Sequence, residues 1–175
     1  MNGIVIEYNM NIIYNSLFSC IKDSISSSRT KNSIVNEEKK TSAVFSYIEE
    51  NINLLLNLSL NFKDTTFESS MSVVSKHVFI NYISTIAHYF MKYLDNHINL
   101  ETMEKKIVVI YMLCKKCVEF GADCFQNNTV FVFLEAYSFC KYKVKIECLI
   151  DNVINTKGVL KVDFDGNISN LYLFS

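Results

Sequence analysis

The chain has 175 residues, half of them hydrophobic and 13% aromatic, with 17 basic and 18 acidic side chains and a formal net charge of −1. A chain of this length and composition buries a substantial core, so we expect a single domain over residues 1–175 and exclude a disordered protein. Because charges of both signs are interspersed and form no basic stripe, nucleic-acid binding is disfavoured.

The amino-acid usage is biased in a way that limits the chemistry of the protein. The chain contains no Pro, no Trp and a single Arg, Arg29, while Asn, Ile and Lys are abundant. Such a bias is typical of an AT-rich genome. Since bidentate binding of phosphate or carboxylate normally uses Arg, sites of that kind are disfavoured.

The sequence predicts a cytoplasmic protein that does not enter a membrane. The first residues carry no basic side chain and include Glu7, unlike a secretory signal. The longest apolar run, residues 107–114, is far too short to cross a bilayer. The six cysteines have unpatterned spacing, so we expect free thiols in a reducing compartment rather than a disulfide scaffold.

The first third of the chain is predicted to hold two helices joined by a loop. Apolar residues at helical spacing, Phe18 among them, predict a helix with one wide apolar face over residues 9–26 and a second helix over about 42–62. Between them, the polar residues 27–40 predict a long mobile loop. Residues 3–8 are a candidate edge strand.

A third helix is predicted in the middle of the chain. Thr65 and Glu68 have the spacing of a capping box, in which each side chain bonds the backbone N–H near the other residue. The apolar stripe that follows runs from about residue 71 to Asp95, with a candidate break near His77.

The next segment is predicted to form the central helix of the fold. Asn99 is placed to cap a helix that Gly121 ends, and its run 107–114 is apolar nearly all round, which indicates a central position. After the glycine, residues 128–140 fit a further helix, but the run 130–133 fits an extended strand equally well. Both alternatives stay open here.

The last third of the chain predicts an antiparallel β-meander over about residues 141–174. Residues 141–148 alternate charged and apolar side chains, as a half-buried strand does. Two further extended runs, 159–164 and 168–174, flank the turn sequence 165–167. The predicted fold class is therefore α+β, a body of about five helices over about 9–140 with a small C-terminal sheet.

The motif that most resembles a metal site is the pair Cys114 and Cys117, which has CxxC spacing. A zinc site needs a second such half-site, and the sequence has none. The pair also lies one helical turn apart, as two residues of a buried helix face do. We therefore interpret both as core residues and expect no metal. The other conceivable ligands are scattered: Cys124, Cys140, Cys148, His77, His88 and His97.

Catalytic signatures are also missing from the sequence. It has no nucleophile elbow, no phosphate loop and only four glycines. Cys117 and His88 fit a nucleophile–base pair only across two packed helices, and His88 on its apolar stripe is interpreted as a core histidine. Asp163 and Asp165 are interpreted as residues of the hairpin turn. We therefore assign no catalytic, cofactor-binding or metal residues, and an enzyme of unknown type ranks third.

What remains is a protein that acts by binding another protein. Its many Phe and Tyr residues are good interface anchors, although most are expected in the core. The acids Glu37, Glu38, Glu49 and Glu50 are candidates to attract a basic partner, with a plain solvated surface as the alternative.

Two resemblances suggest what such a protein does. In size, composition and lack of cofactor motifs the chain is similar to bacterial toxin-immunity proteins, especially those of contact-dependent growth inhibition systems. That resemblance implies a cytoplasmic inhibitor of one toxin domain.

The second resemblance is carried by the segment Ile107–Gly121. It is similar to the apolar central helix of poxviral members of the B-cell-lymphoma-two-like helical family, although Phe120 stands where a Trp commonly precedes the glycine. The aromatic stretch that follows matches the next helix of that family. This alternative implies a viral inhibitor of host apoptosis or signalling.

Overall fold

The computed structural model describes residues 2–26, 33–61, 72–96, 103–138, 160–162 and 168–170. Within these ranges the chain forms six helices: α1 (Asn2–Ser26), α2 (Ser33–Glu50), α3 (Ile52–Asn61), α4 (Val73–Asp95), α5 (Glu104–Glu119) and α6 (Asn128–Ala136). Two three-residue strands, β1 (Leu160–Val162) and β2 (Ile168–Asn170), pair antiparallel with Leu160 opposite Asn170.

The predicted α+β class is wrong, because the described chain is a helical bundle. It has six helices within the described residues, where the sequence predicts about five. One two-stranded pair beside α3 does not make a sheet layer. The alternating run 141–148, and residues 149–159, 163–167 and 171–174 of the predicted meander, lie outside the described residues. The error has a physical cause, since helix formation extends through segments that we assigned to a strand and to a loop.

The candidate edge strand at residues 3–8 is wrong, because α1 begins at Asn2 and runs to Ser26. Each residue added to an existing helix gains a hydrogen bond at little entropic cost. A helix that is stabilised by a buried apolar stripe further along the chain therefore extends into a neighbouring segment of low helix preference. That stripe is Ile13, Tyr14 and Leu17, all buried.

The loop predicted at 27–40 is wrong from Ser33 onward, where α2 begins. The polar side chains of this segment form hydrogen bonds within α2 and to α4 instead of lying in a solvated loop. The Glu37 carboxylate accepts hydrogen bonds from Lys40 Nζ at 3.3 Å and from Lys92 Nζ of α4 at 2.9 Å. The Thr41 hydroxyl donates to the Glu37 carbonyl at 2.8 Å. Residues 27–32 lie outside the described part.

The single helix predicted over 42–62 is two helices that meet at Asn51. The Asn51 side chain donates to the Tyr47 carbonyl at 2.8 Å, in competition with its own backbone N–H, which donates there at 3.0 Å. Asn and Asp favour helix ends because their side chains bond the local backbone. The Leu55 N–H then bonds the Asn51 carbonyl and begins α3.

The third predicted helix is confirmed as α4, which runs without a break through His77. Its N-cap is Ser72, whose hydroxyl oxygen accepts from the Ser75 N–H at 3.1 Å. The capping box at Thr65 and Glu68 lies outside the described residues, as does Asn99.

The prediction that Gly121 ends α5 is confirmed by its backbone, which has φ of 98°. The Gly121 N–H bonds the Val118 carbonyl, and the Ala122 N–H bonds the Cys117 carbonyl, the two bonds of a Schellman motif. A positive φ is costly for any residue with a Cβ, so this position requires glycine.

The central position of α5 is also confirmed, since it packs against α3, α4 and α6. Its side chains from Ile107 to Cys114 are all at most 9% exposed. The open choice at 128–140 resolves to helix over Asn128–Ala136, which buries Val130 and Phe133 against the body. Asn127 is the N-cap residue of α6, but its side chain makes no capping hydrogen bond.

Candidate functional site

The interpretation of Cys114 and Cys117 as core residues is confirmed, because both side chains are fully buried on α5. Burial raises the pKa of each thiol, so both stay protonated and unreactive at neutral pH. Cys124 is exposed in the turn after α5. Within the described ranges, no group of three His, Cys, Asp or Glu residues is placed to hold a metal ion. Cys140, Cys148 and His97 lie outside those ranges.

The structure does not bring the conceivable catalytic pair together. His88 is exposed, so its interpretation as a core histidine is wrong, whereas Cys117 is fully buried. The His88 ring contacts the Tyr89 ring edge-on, with centroids 4.9 Å apart, and partial burial together with nearby Lys92 lowers its pKa. Asp163 and Asp165 lie outside the described residues.

Three buried tyrosines meet where α1, α2 and α4 pack. The Tyr47 hydroxyl donates to the Ile13 carbonyl at 3.0 Å and lies 2.9 Å from the Tyr82 hydroxyl. Because Tyr47 has one proton, Tyr82 is the donor in the second bond. The Tyr14 ring packs 4.9 Å from that of Tyr82, and its buried hydroxyl has no hydrogen-bond partner among the described residues. Burial raises the pKa of all three hydroxyls.

A cleft of about 490 Å³ lies where α1 ends and α2 begins, and its lining includes Ser24, Val35, Glu38, Lys39 and Ser42. It opens widely to solvent. Small-molecule and catalytic sites are typically enclosed and mostly apolar, with a few convergent polar groups. This cleft does not have that form.

The exposed side chains of α1 and of the end of α2 include both apolar groups and carboxylates, and we call them together the α1–α2 surface. On α1, Ile12 is 52% exposed and Phe18 is 47% exposed, so Phe18 does not belong to the buried face on which we placed it. Asp23 of α1 and Glu50 of α2 are exposed, and both carboxylates lie near the Cys20 thiol. Burial raises the pKa of that thiol, and the two nearby negative charges raise it further.

The charge of the α1–α2 surface is predominantly negative. Glu50 is exposed near Cys20 of α1, whereas the exposed Glu49 lies near Tyr93 of α4, and the last turn of α2 has no basic residue. Lys22 adds one exposed positive charge on α1. Of the four acids that we considered able to attract a basic partner, Glu37 is instead engaged by Lys40 and Lys92.

A second exposed surface lies where α4 begins and α5 ends. The half-buried Phe120 ring packs edge-on against the buried Phe79 ring, with centroids 5.4 Å apart. Lys76 and Lys116 each place their ammonium 5.5 Å from the Phe120 ring centroid, a cation–π arrangement. Lys116 also pairs with Glu119 at 2.6 Å.

The most exposed aromatic side chain in the described chain is at this same end of the bundle. Phe125 is 94% exposed in the turn between α5 and α6, and Val73 and Val74 at the start of α4 are 70% and 71% exposed. We call this surface the Phe125 end and define it by Val73, Val74, Lys76, Phe120, Asp123 and Phe125.

The turn that carries Phe125 is fixed by hydrogen bonds. The Asp123 carboxylate accepts from the Phe125 N–H at 2.7 Å, and the Asp123 carbonyl accepts from the N–H groups of Gln126 and Asn127. The residues just before this turn are also fixed, because Gly121 ends α5 and the Ala122 side chain is buried. The ring is therefore presented to solvent on a constrained backbone.

Sequence reasoning missed both surfaces. For Phe125 a signal was present, since a large aromatic between the turn-forming residues Asp123 and Asn127 is out of place in a solvated turn. For Ile12 and Phe18 the signal was ambiguous, because both flank the buried stripe and either edge of a wide apolar face can remain uncovered.

No helix within the described ranges is both long and apolar enough to cross a membrane. The chain matches no protein-family model, no curated protein and no solved structure.

Proposed function

We propose that this chain is a non-enzymatic cytoplasmic protein that binds and neutralises one protein partner, as an immunity protein against a toxin such as those of contact-dependent growth inhibition systems. The observations that carry the proposal are the half-exposed apolar side chains of Ile12 and Phe18 on α1 and the exposed carboxylates of Asp23 and Glu50 near Cys20. An apolar surface bordered by charge is typical of a protein-binding site.

The charge of this surface favours a basic partner. Exposed carboxylates raise the rate of encounter with a positively charged protein, while buried apolar anchors supply most of the affinity. A toxin domain that acts on nucleic acid carries a basic surface to hold its substrate. Covering that surface with an acidic one blocks the substrate, which requires no catalysis by the inhibitor.

The test is co-expression with the toxin domains encoded next to this gene. Wild-type protein is expected to restore growth with one of them, and the variant Phe18→Ser with Glu50→Lys is expected to lose that protection while keeping its melting temperature. Phe125→Ser is the matched control, because it removes an exposed ring from the other surface. Failure of the wild type to protect against any of these toxins contradicts the function, whereas protection by the double variant contradicts the surface.

A second candidate function is favoured by the position of α5. The segment that is similar to the central helix of poxviral B-cell-lymphoma-two-like proteins forms a helix enclosed by α3, α4 and α6. A protein of that kind inhibits host apoptosis or signalling and binds amphipathic helical peptides in a hydrophobic groove. Fluorescence polarisation with a panel of such peptides tests it, and dissociation constants below about 1 µM are expected. No binding across the panel excludes this alternative.

A further inference from the structure

We draw no further inference here: the strongest candidate, the exposed Phe125 ring in the turn between α5 and α6, carries no proposal, because nothing in the structure shows what covers it.

Discussion

Two groups of aromatic residues in this protein have opposite surroundings. At the junction of α1, α2 and α4, the rings of Tyr14, Tyr47 and Tyr82 are at most 5% exposed, and two of the hydroxyls hydrogen-bond. At the Phe125 end, Phe120 lies under two lysines and Phe125 is almost fully in solvent. Aromatic residues therefore stabilise the fold at one place and are presented to solvent at the other.

The largest expected effect compares the buried Phe79 with the exposed Phe125. Phe79 is fully buried, so Phe79→Ala leaves a cavity and is expected to lower the free energy of unfolding by about 3–5 kcal/mol. Phe125→Ala is expected to change it by less than about 0.5 kcal/mol, because the ring touches little of its own chain. Urea denaturation of dilute protein measures both values. A large loss for Phe125→Ala means that the ring packs against the protein in solution and contradicts its exposed position.

The next effect concerns the thiols of α5. Replacing Cys114 and Cys117 together with Ser puts two hydroxyls into an apolar interior, and we expect a loss of about 2–4 kcal/mol with no metal released. Cys124→Ser, at an exposed position, is the control and is expected to be neutral. Urea denaturation gives the stabilities, and elemental analysis gives the metal content. One zinc per chain in the wild-type protein contradicts the interpretation of the pair as core residues.

A smaller effect separates the hydroxyls of the tyrosine junction. Tyr47→Phe removes the bond to the Ile13 carbonyl and leaves the Tyr82 hydroxyl buried without its acceptor, which costs about 1–3 kcal/mol. Tyr14→Phe is expected to cost nothing or to stabilise slightly, because that hydroxyl has no partner among the described residues. Equal losses for the two variants, measured by urea denaturation, show instead that a buried water bonds Tyr14.

The helices that were predicted well share a local signal. The sequence predicts α4 and α5 because a long apolar stripe coincides with a definite end, at Asp95 and at Gly121. Their neighbours were predicted less well because their limits depend on contacts far along the chain. The Glu37 carboxylate bonds Lys92, 55 residues away, and no local pattern predicts that the polar residues before it are helical.

The same distinction, between local sequence signals and contacts far along the chain, applies to the candidate functional residues. The burial of Cys114 and Cys117 was predictable, since helical spacing on an apolar helix is a local property. The exposure of Phe18 was not, because its position in the apolar stripe of α1 does not state how much of that stripe the other helices cover. Surface complementarity is a property of the folded bundle, so both surfaces became visible only in the structure.

The smallest expected effect concerns the ion pair that joins α2 to α4. The hydrogen bond from Lys92, together with Lys40, lowers the pKa of Glu37 despite partial burial. A lowered pKa in the folded state adds stability above the unfolded value of about 4.3, and that stability is lost as the pH falls through the folded pKa. Since these side chains are about 40% exposed, we expect Glu37→Gln to cost less than about 1 kcal/mol at pH 7.

The same ion pair makes the cost depend on salt and pH in a defined direction. The difference between wild type and Glu37→Gln is expected to shrink in 1 M salt and to vanish at low pH, where the wild-type carboxyl is also neutral. Thermal unfolding at pH 7 and at about pH 2.5 measures it. Glu38→Gln, the exposed neighbouring carboxylate, is the control. If Glu38→Gln shows the same pH and salt dependence, then net charge rather than the contact with Lys92 sets the stability of this junction.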